Sequence, residues 1–519
     1  MPPLGNISQL VYIIDIPETI FKCDLPPIPG PCIVYFTAGA AGKMISAPMG
    51  CSPPAKRAEL RTGVAVSIDV EKTKERLKDL DLQVRARALQ ELVASWCAGE
   101  INFPPEREVA NLHCHTFFSY NGYGHSPTSL AWLAREMGWH ALATMDFDVL
   151  DGVDETLDAC DRVAIRGAAG METRVYLPEF AAREITSPGE PGVTYQIGAG
   201  FTQSYIPPPV DQVFNQMRQQ AAQRNRDIVE RVNAYLDPVM IRYERDVLPL
   251  TPAGNATERH ILVAYDVAAR EYLPHRQALL EFWANKLEVE IAQVDAAIGD
   301  VPAPSELIRT KLMKRGGVGY VQPGPDTFPL AADVNQAIIS CGAIPVVAWV
   351  DGASEGEKDI EELLALHLSL GAGAVTIIPE RNWRFRDPEV RELKVRNLHA
   401  VVELVRALDL PIIAGTEMNK AGQPLLDDLD AEPLRPLRQD FIAGADFLYG
   451  HTLMQRALGM GYQSGWAQEH LPSRKERNAF YVAVGRLVPP GRLPRARLAR
   501  VGVSKGPDEM LASLERFRR

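Results

Sequence analysis

No apolar run in the 519 residues approaches the roughly 20 needed to cross a bilayer as a helix. A basic n-region followed by a clean apolar stretch is missing from the N-terminus, so a secretory signal is not expected. Cysteine is scarce at seven, an odd number with no C-x-x-C pair. That speaks against a disulfide scaffold and for reduced thiols in a cytoplasmic protein. Basic residues are outnumbered, 55 Lys and Arg to 66 Asp and Glu, for a net charge of −11. Such a balance argues against general nucleic-acid binding, which needs a basic stripe, and leaves room for a local pocket that takes one phosphate. Neither a membrane nor a nucleic-acid partner is expected, and oligomeric state is not legible.

What is present is an ordinary globular composition, 46% hydrophobic and 23% charged, and one stretch with chemistry in it. Asn111-Leu112-His113-Cys114-His115-Thr116-Phe117-Phe118-Ser119 carries two imidazoles at i and i+2 behind an apolar approach (Val109, Ala110, Leu112). On a β-strand that spacing puts both rings on one face. Two neutral imidazoles converging at a strand end form half of a metal site.

The surrounding chain divides by texture. Residues 1–60 hold short apolar runs between Pro- and Gly-rich stretches and read as an irregular extension, with short edge strands as the alternative. Residues 61–107 read as a small helical segment, with Asp81 capping a helix whose Leu89, Leu92, Val93 and Trp96 share a stripe. From residue 108 the pattern is strand, helix, strand. Ser126-Pro127 starts a helix with Leu130, Leu133, Ala134 and Met137 on its apolar face, Gly138 ends it, and Ala141–Thr144 is the next strand. Residues 206–325 are predominantly helical, with Asn255-Ala256-Thr257-Glu258 resembling a capping box, and interrupt the alternation as an insertion. Strands resume at 344–350, 374–378 and 410–415. Strands alternating with helices predict a parallel sheet with its chemistry at the strand C-termini, over 108–205 and 326–450. Residues 451–519, with Arg492, Arg495, Arg497 and Arg500, read as a solvated basic tail.

The motifs along this frame resemble those of the PHP (polymerase and histidinol phosphatase) family over residues 108–430. His113-Cys114-His115-Thr116 with Ser119 is similar to the first motif, and Thr144-Met145-Asp146-Phe147-Asp148 through Asp151-Gly152 to the second, T-D-H-D-x-x-D-G. Arg183-Glu184-Ile185 stands where a metal-binding Glu is expected. Arg259-His260-Ile261 is similar to an R-x-H-I helix start, Ala343–Trp349 stands for G-G-x-x-x-x-A-H-P, and Gly415–Asn419 for G-S-D-x-H. The resemblance implies a distorted TIM-like (β/α)7 barrel with a helical insertion and metal-dependent phosphoesterase activity on a small phosphorylated metabolite or nucleotide, with a metal-activated water as nucleophile.

Several ligand positions depart from that pattern. Phe147 and Trp349 replace histidines, Tyr195 stands where a His is common, Tyr120 replaces an Asp, and Glu417 and Asn419 replace the final Asp and His. The remaining ligand candidates are His113, His115, Glu184, Glu417 and Asp148. They suffice for fewer than three divalent ions (Mn, Zn, Mg or Fe). The catalytic candidates are His115, Asp146 and His260, and the substrate-binding candidates Arg259, Arg381, Arg384 and Asn419. The alternative is a PHP-type barrel that has lost turnover and acts as a ligand-binding or regulatory protein.

Overall fold

The computed structural model describes residues 68–503 and 505–518; the extension expected over 1–60 lies outside them. Seven strands form one sheet in sequence order: β1 (Ala110–Cys114), β2 (Ala141–Phe147), β3 (Arg166–Tyr176), β4 (Val193–Ala199), β5 (Ile344–Trp349), β6 (Ala374–Ile377) and β7 (Ile412–Ala414). The sheet curls until its two edges meet just beyond β7. There Cys114 bridges to Glu417, His115 N–H donates to Glu417 C=O and Glu417 N–H donates to His113 C=O, both at 2.7 Å. The result is a nearly closed barrel with helices around it, the distorted TIM-like fold expected.

β4 departs from the expected parallel sheet. It pairs antiparallel with both β3 and β5. A parallel connection needs a crossover of a dozen or more residues, usually helical. The segment from β3 to β4 holds only a short 3-10 turn, Pro178–Phe180, so the chain doubles back. The helical insertion then returns it to the strand direction required for β5, β6 and β7.

Small or slender residues dominate the lower barrel interior: Ala141, Ala143, Ala168, Ala199, Ala348 and Ala374, with Ile197, Ile344 and Val346. What fills the remaining space is the C-terminal region. Phe447 and Leu448 of the helix Arg438–Leu458, and Tyr481 and Val484 of the helix Arg474–Leu487, belong to the same buried core. Each such side chain contributes about 1.5–3 kcal/mol by leaving water. The two helices cross at glycines: a methyl on Gly450 would strike the Tyr481 carbonyl, and one on Gly485 the Asp446 carbonyl. The tail is therefore structural rather than solvated. The boundary expected at 450/451 falls inside a continuous helix, Leu498 and Leu514 are buried, Arg495 pairs with Asp161 at 3.0 Å and Arg492 pairs with Asp158.

The insertion begins with the 26-residue helix Asp211–Leu236, whose Phe214, Met217, Ala221, Val229, Val232 and Leu236 are buried in a helical stripe. From Val229 onward it packs with Tyr265, Trp283 and Leu312 in a core of its own. The N-terminal helix Leu82–Cys97 is capped by Asp81 as expected, and Leu89 and Leu92 are buried. Its Arg85, also buried, donates to Glu155 at 2.9 Å, which ties it to the helix Val153–Val163. No helix among the described residues is long and apolar enough to cross a membrane.

Candidate metal centre

The His-x-His pair sits on an irregular strand. Asn111 is in register with Leu142 but Cys114 with Thr144, so β1 holds one residue more than its partner between them. A bulge of this kind bends the strand and re-aims its side chains. It lets Leu112 join the apolar barrel core while His113, its neighbour, turns toward the mouth. The backbone group freed by the bulge is recaptured locally. The buried Asn111 Oδ1 accepts from His113 N–H and Thr416 N–H, each at 3.2 Å, and its Nδ2 donates to Thr416 Oγ1 at 2.6 Å. Gly415 is required beside it, since a methyl there would collide with the His113 backbone nitrogen and with Asn111 Oδ1.

The rings converge on a carboxylate from β3. His113 Nε2 lies 3.4 Å and His115 Nε2 3.2 Å from Glu172 Oε2, all three side chains being almost fully buried. None of the three atoms makes a hydrogen bond, an expensive condition in a protein interior. Three ligand atoms each about 2.0–2.1 Å from one tetrahedral ion would stand roughly 3.3 Å apart, close to the two separations seen. All three lie within 4.8 Å of one another. The donor set, two imidazoles and a carboxylate, fits a divalent ion with an open position. Burial alone would favour the uncharged forms, but His113 and Glu172 offset it for one another: the imidazole is held above, and the carboxyl below, its ordinary range.

Hydroxyls orient both rings from behind. His113 Nδ1 faces Thr376 Oγ1 at 3.4 Å and His115 Nδ1 faces Ser119 Oγ at 3.2 Å. Ser119 in turn donates to Asp146 Oδ1 at 2.7 Å. The same carboxylate accepts from Thr116 N–H at 2.7 Å and Thr116 Oγ1 at 2.6 Å. Asp146, expected among the catalytic residues, therefore points away from the cluster, on the opposite face of β2 from Phe147, and organises the loop after β1. Phe147 stacks on His115 with centroids 4.3 Å apart, and Tyr195 stands 6.5 Å beyond it.

The other candidates fall in three places. Glu417 is buried at the mouth, but its carboxylate is taken by the protein: Arg381 donates to it at 2.8 Å, Asn419 at 3.1 Å and Gln423 at 3.4 Å. It is not one of the clustered ligands. Burial alone would raise the Glu417 carboxyl, but Arg381, with His113 and His115, holds it below its ordinary range. Arg259 reaches Asn419 Oδ1 at 3.4 Å and so links the insertion to the loop after β7. His260 closes a capping box, accepting from Thr257 N–H at 3.1 Å; the helix begins two residues later than the Asn255 box predicts. Burial, with Arg259 beside it, holds this imidazole at about 4, hence neutral. Its structural task is the cap, and its ring meets Tyr120 edge-on at 5.2 Å.

Three residues lie apart from the cluster. Glu184 is on the loop before β4, 41% exposed and facing Arg315 at 3.7 Å. Glu172 supplies the carboxylate that the sequence assigns to it. Asp148 is half-buried and accepts from Thr173 Oγ1 at 2.6 Å, in a left-handed backbone conformation (φ 61°). Arg384 is half-exposed with Glu380 3.9 Å away. Glu172 was legible in one respect: it is an acid in the middle of the otherwise apolar run Gly167–Thr173, and a buried strand keeps such a residue only when it is paired.

No family model and no curated protein matches the chain. Two solved structures resemble it remotely. One is an amidohydrolase from Chromobacterium violaceum with bound sulfate and no metal, 16% identical, aligned over 64% of this chain and 96% of that one with a TM-score of 0.42. The other is a Bifidobacterium adolescentis protein assigned as a metal-dependent phosphoesterase, 18% identical, aligned over 65% and 98% with a TM-score of 0.39. At such scores the barrel rests on this chain's own strands, and its chemistry on its own side chains.

Proposed function

We propose that this protein is a metal-dependent hydrolase of PHP type that cleaves a small phosphoester, a phosphorylated metabolite or nucleotide, with one ion at the barrel mouth. The observation that supports this most is the convergence of His113 Nε2, His115 Nε2 and Glu172 Oε2, three buried atoms of ligand type whose only partners are one another. Bound there, a divalent ion supplies positive charge at the phosphoryl oxygens and lowers the pKa of a water. Nitrogen donors favour Zn, Mn or Fe over Mg. Around it, Ser119 and Thr376 fix the orientation of the rings, as second-sphere partners of ligating histidines do. Arg381 and Arg259 bring guanidinium groups to the mouth, where they can stabilise developing negative charge. Phe147, stacked on His115, and Tyr195 beyond it form an aromatic wall beside the cluster.

One observation favours the alternative, a barrel that binds a ligand without turning it over. Glu417, the remaining carboxylate at the mouth, is already saturated by Arg381, Asn419 and Gln423. Plasma mass spectrometry of the purified protein, with H113A/H115A as control, tests the metal. Hydrolysis of an aryl phosphate with and without chelator tests turnover. Near-zero metal overturns the hydrolase reading; metal without chelator-sensitive hydrolysis selects the binding protein.

A further inference from the structure

A cavity of about 320 Å³ opens between the barrel mouth and the helical insertion, within the size range of small-molecule sites. Phe147 and Tyr195, the aromatic wall beside His115, also line this cavity, so it is continuous with the surroundings of the candidate metal centre. Its walls carry six cationic and four acidic side chains, an excess of two positive charges in a chain of net charge −11.

Most of those cations are already engaged. Arg309 and Lys314 both pair with Glu258, at 2.8 and 2.9 Å, Arg174 pairs with Glu190 at 3.0 Å, and Arg231 donates to the Gly319 carbonyl at 2.8 Å. Arg224 is different. It makes no hydrogen bond or ion pair with any described residue, and it lies 4.6 Å from the Phe328 ring centroid, the same ring that Arg174 approaches at 4.4 Å. One aromatic ring thus contacts both guanidinium groups, and Arg224, unlike Arg174, has no described carboxylate in hydrogen-bonding reach, so an anion entering the cavity can bond to it. Burial, reinforced by Arg174, holds Arg224 at about 10, below the usual guanidinium range, with Asp148, Glu190 and Glu258 offsetting part of the shift. The position is also set by the strand. Arg174 follows Glu172 by two residues on the same face of β3, about 6.7 Å farther along it.

We propose that Arg224 and Arg174 form a receptor for a second anionic group at the far end of the substrate. The protein then selects phosphoesters that carry a further phosphate or carboxylate some two strand residues away from the ester. The substrate class rests on the hydrolase reading above; the anion receptor does not.

Calorimetric titration of the full-length protein with butane-1,4-bisphosphonate, 4-phosphonobutyrate and butylphosphonate tests it. These probes are non-hydrolysable and differ only in their distal group. At least one doubly anionic probe is expected to bind roughly tenfold or more tighter than butylphosphonate. R224Q, which has no internal bond to lose, is expected to abolish that difference and leave butylphosphonate binding unchanged. R396Q, an exposed site elsewhere, is expected to change nothing. Whichever doubly anionic probe binds tighter tells phosphate from carboxylate. Equal affinity for all three probes, or a preference that survives in R224Q, overturns the receptor. If H113A/H115A retains Arg224-dependent binding of the doubly anionic probes, the receptor stands even where the metal reading fails.

Discussion

Replacing Asp146 separates a positioning role from a catalytic or ligating one. Its carboxylate accepts three buried hydrogen bonds, two on Oδ1 (Thr116 N–H and Ser119 Oγ) and one on Oδ2 (Thr116 Oγ1). Asp146→Ala leaves all three donors without a partner. A buried unsatisfied donor costs about 1–3 kcal/mol, and the two hydroxyls can partly re-aim, which gives a loss of about 3–5 kcal/mol. Asp146→Asn keeps the Oδ1 pair and exchanges one acceptor, so its cost is about 1 kcal/mol. What the amide weakens is the charge behind Ser119, and through it the orientation of His115. Losses at such second-sphere positions weaken metal affinity by roughly 10–100-fold. Urea denaturation with the ion removed gives the stability terms, and calorimetric titration with Zn²⁺ or Mn²⁺ gives the affinity. His115→Ala is the benchmark for loss of a direct ligand. Should Asp146→Asn abolish ion binding as completely as His115→Ala, Asp146 is itself a ligand and the hydrogen-bonded relay is the wrong description.

Other perturbations follow from the same geometry. Gly415→Ala forces a methyl into the His113 backbone and Asn111; overpacking of this kind costs about 1–3 kcal/mol, and metal affinity is expected to fall with it, both readable by denaturation and titration. Glu258, half-buried between Arg309 and Lys314, titrates at about 2 in the folded chain against an ordinary 4.5 because burial, which would raise it, is exceeded by Lys314 and Arg309 acting together. A depressed folded pKa stabilises above pH 4.5 and loses that stabilisation as pH falls toward 2, about 3 kcal/mol in all. The stability gap between wild type and Glu258→Gln should therefore narrow across that window, and a gap independent of pH contradicts the assignment. Zn²⁺ or Mn²⁺ at 100 times its dissociation constant should raise the unfolding free energy by about 2.7 kcal/mol. Calorimetric melting of H113A/H115A should show no such rise.

Much of the barrel was legible because its signals are local. Ser126 does cap the helix Pro127–Glu136, accepting from Ser129 N–H, and β2, β5, β6 and β7 lie where their apolar runs stand. What escaped depends on partners distant in sequence. β4 runs antiparallel because its connection lacks a crossover helix, whereas the alternation elsewhere reads as uniformly parallel. The tail looked solvated because its arginines are conspicuous, while its apolar residues find their partners in barrel alanines from Ala141 to Ala374, far earlier in the chain. At the site, the fold brings together the two imidazoles of the first motif. The carboxylate beside them comes from β3 and not from the loop position aligned with the motif, because a loop glutamate is free to face solvent and Arg315, whereas Glu172 is fixed by strand register opposite Phe147.

The departures from the family pattern form a coherent set once placed in space. Phe147, where the resembled motif has a histidine, packs flat against His115. Glu417 and Asn419, at the positions of the last two ligands, hydrogen-bond to each other, and Arg381 neutralises the carboxylate. Without that partner Glu417 would be a buried, uncompensated carboxylate, a state that costs several kcal/mol. The guanidinium removes that penalty and keeps positive charge near Glu172 and His113, both of which feel its field. Removing it isolates the effect: Arg381→Ala should strand Glu417 and lift its pKa, destabilising the fold by about 3–5 kcal/mol at neutral pH. In Arg381→Ala/Glu417→Gln, where neither charge remains, most of that loss should be recovered. Equal destabilisation in the single and double variants would mean that the pair matters for packing and not for charge.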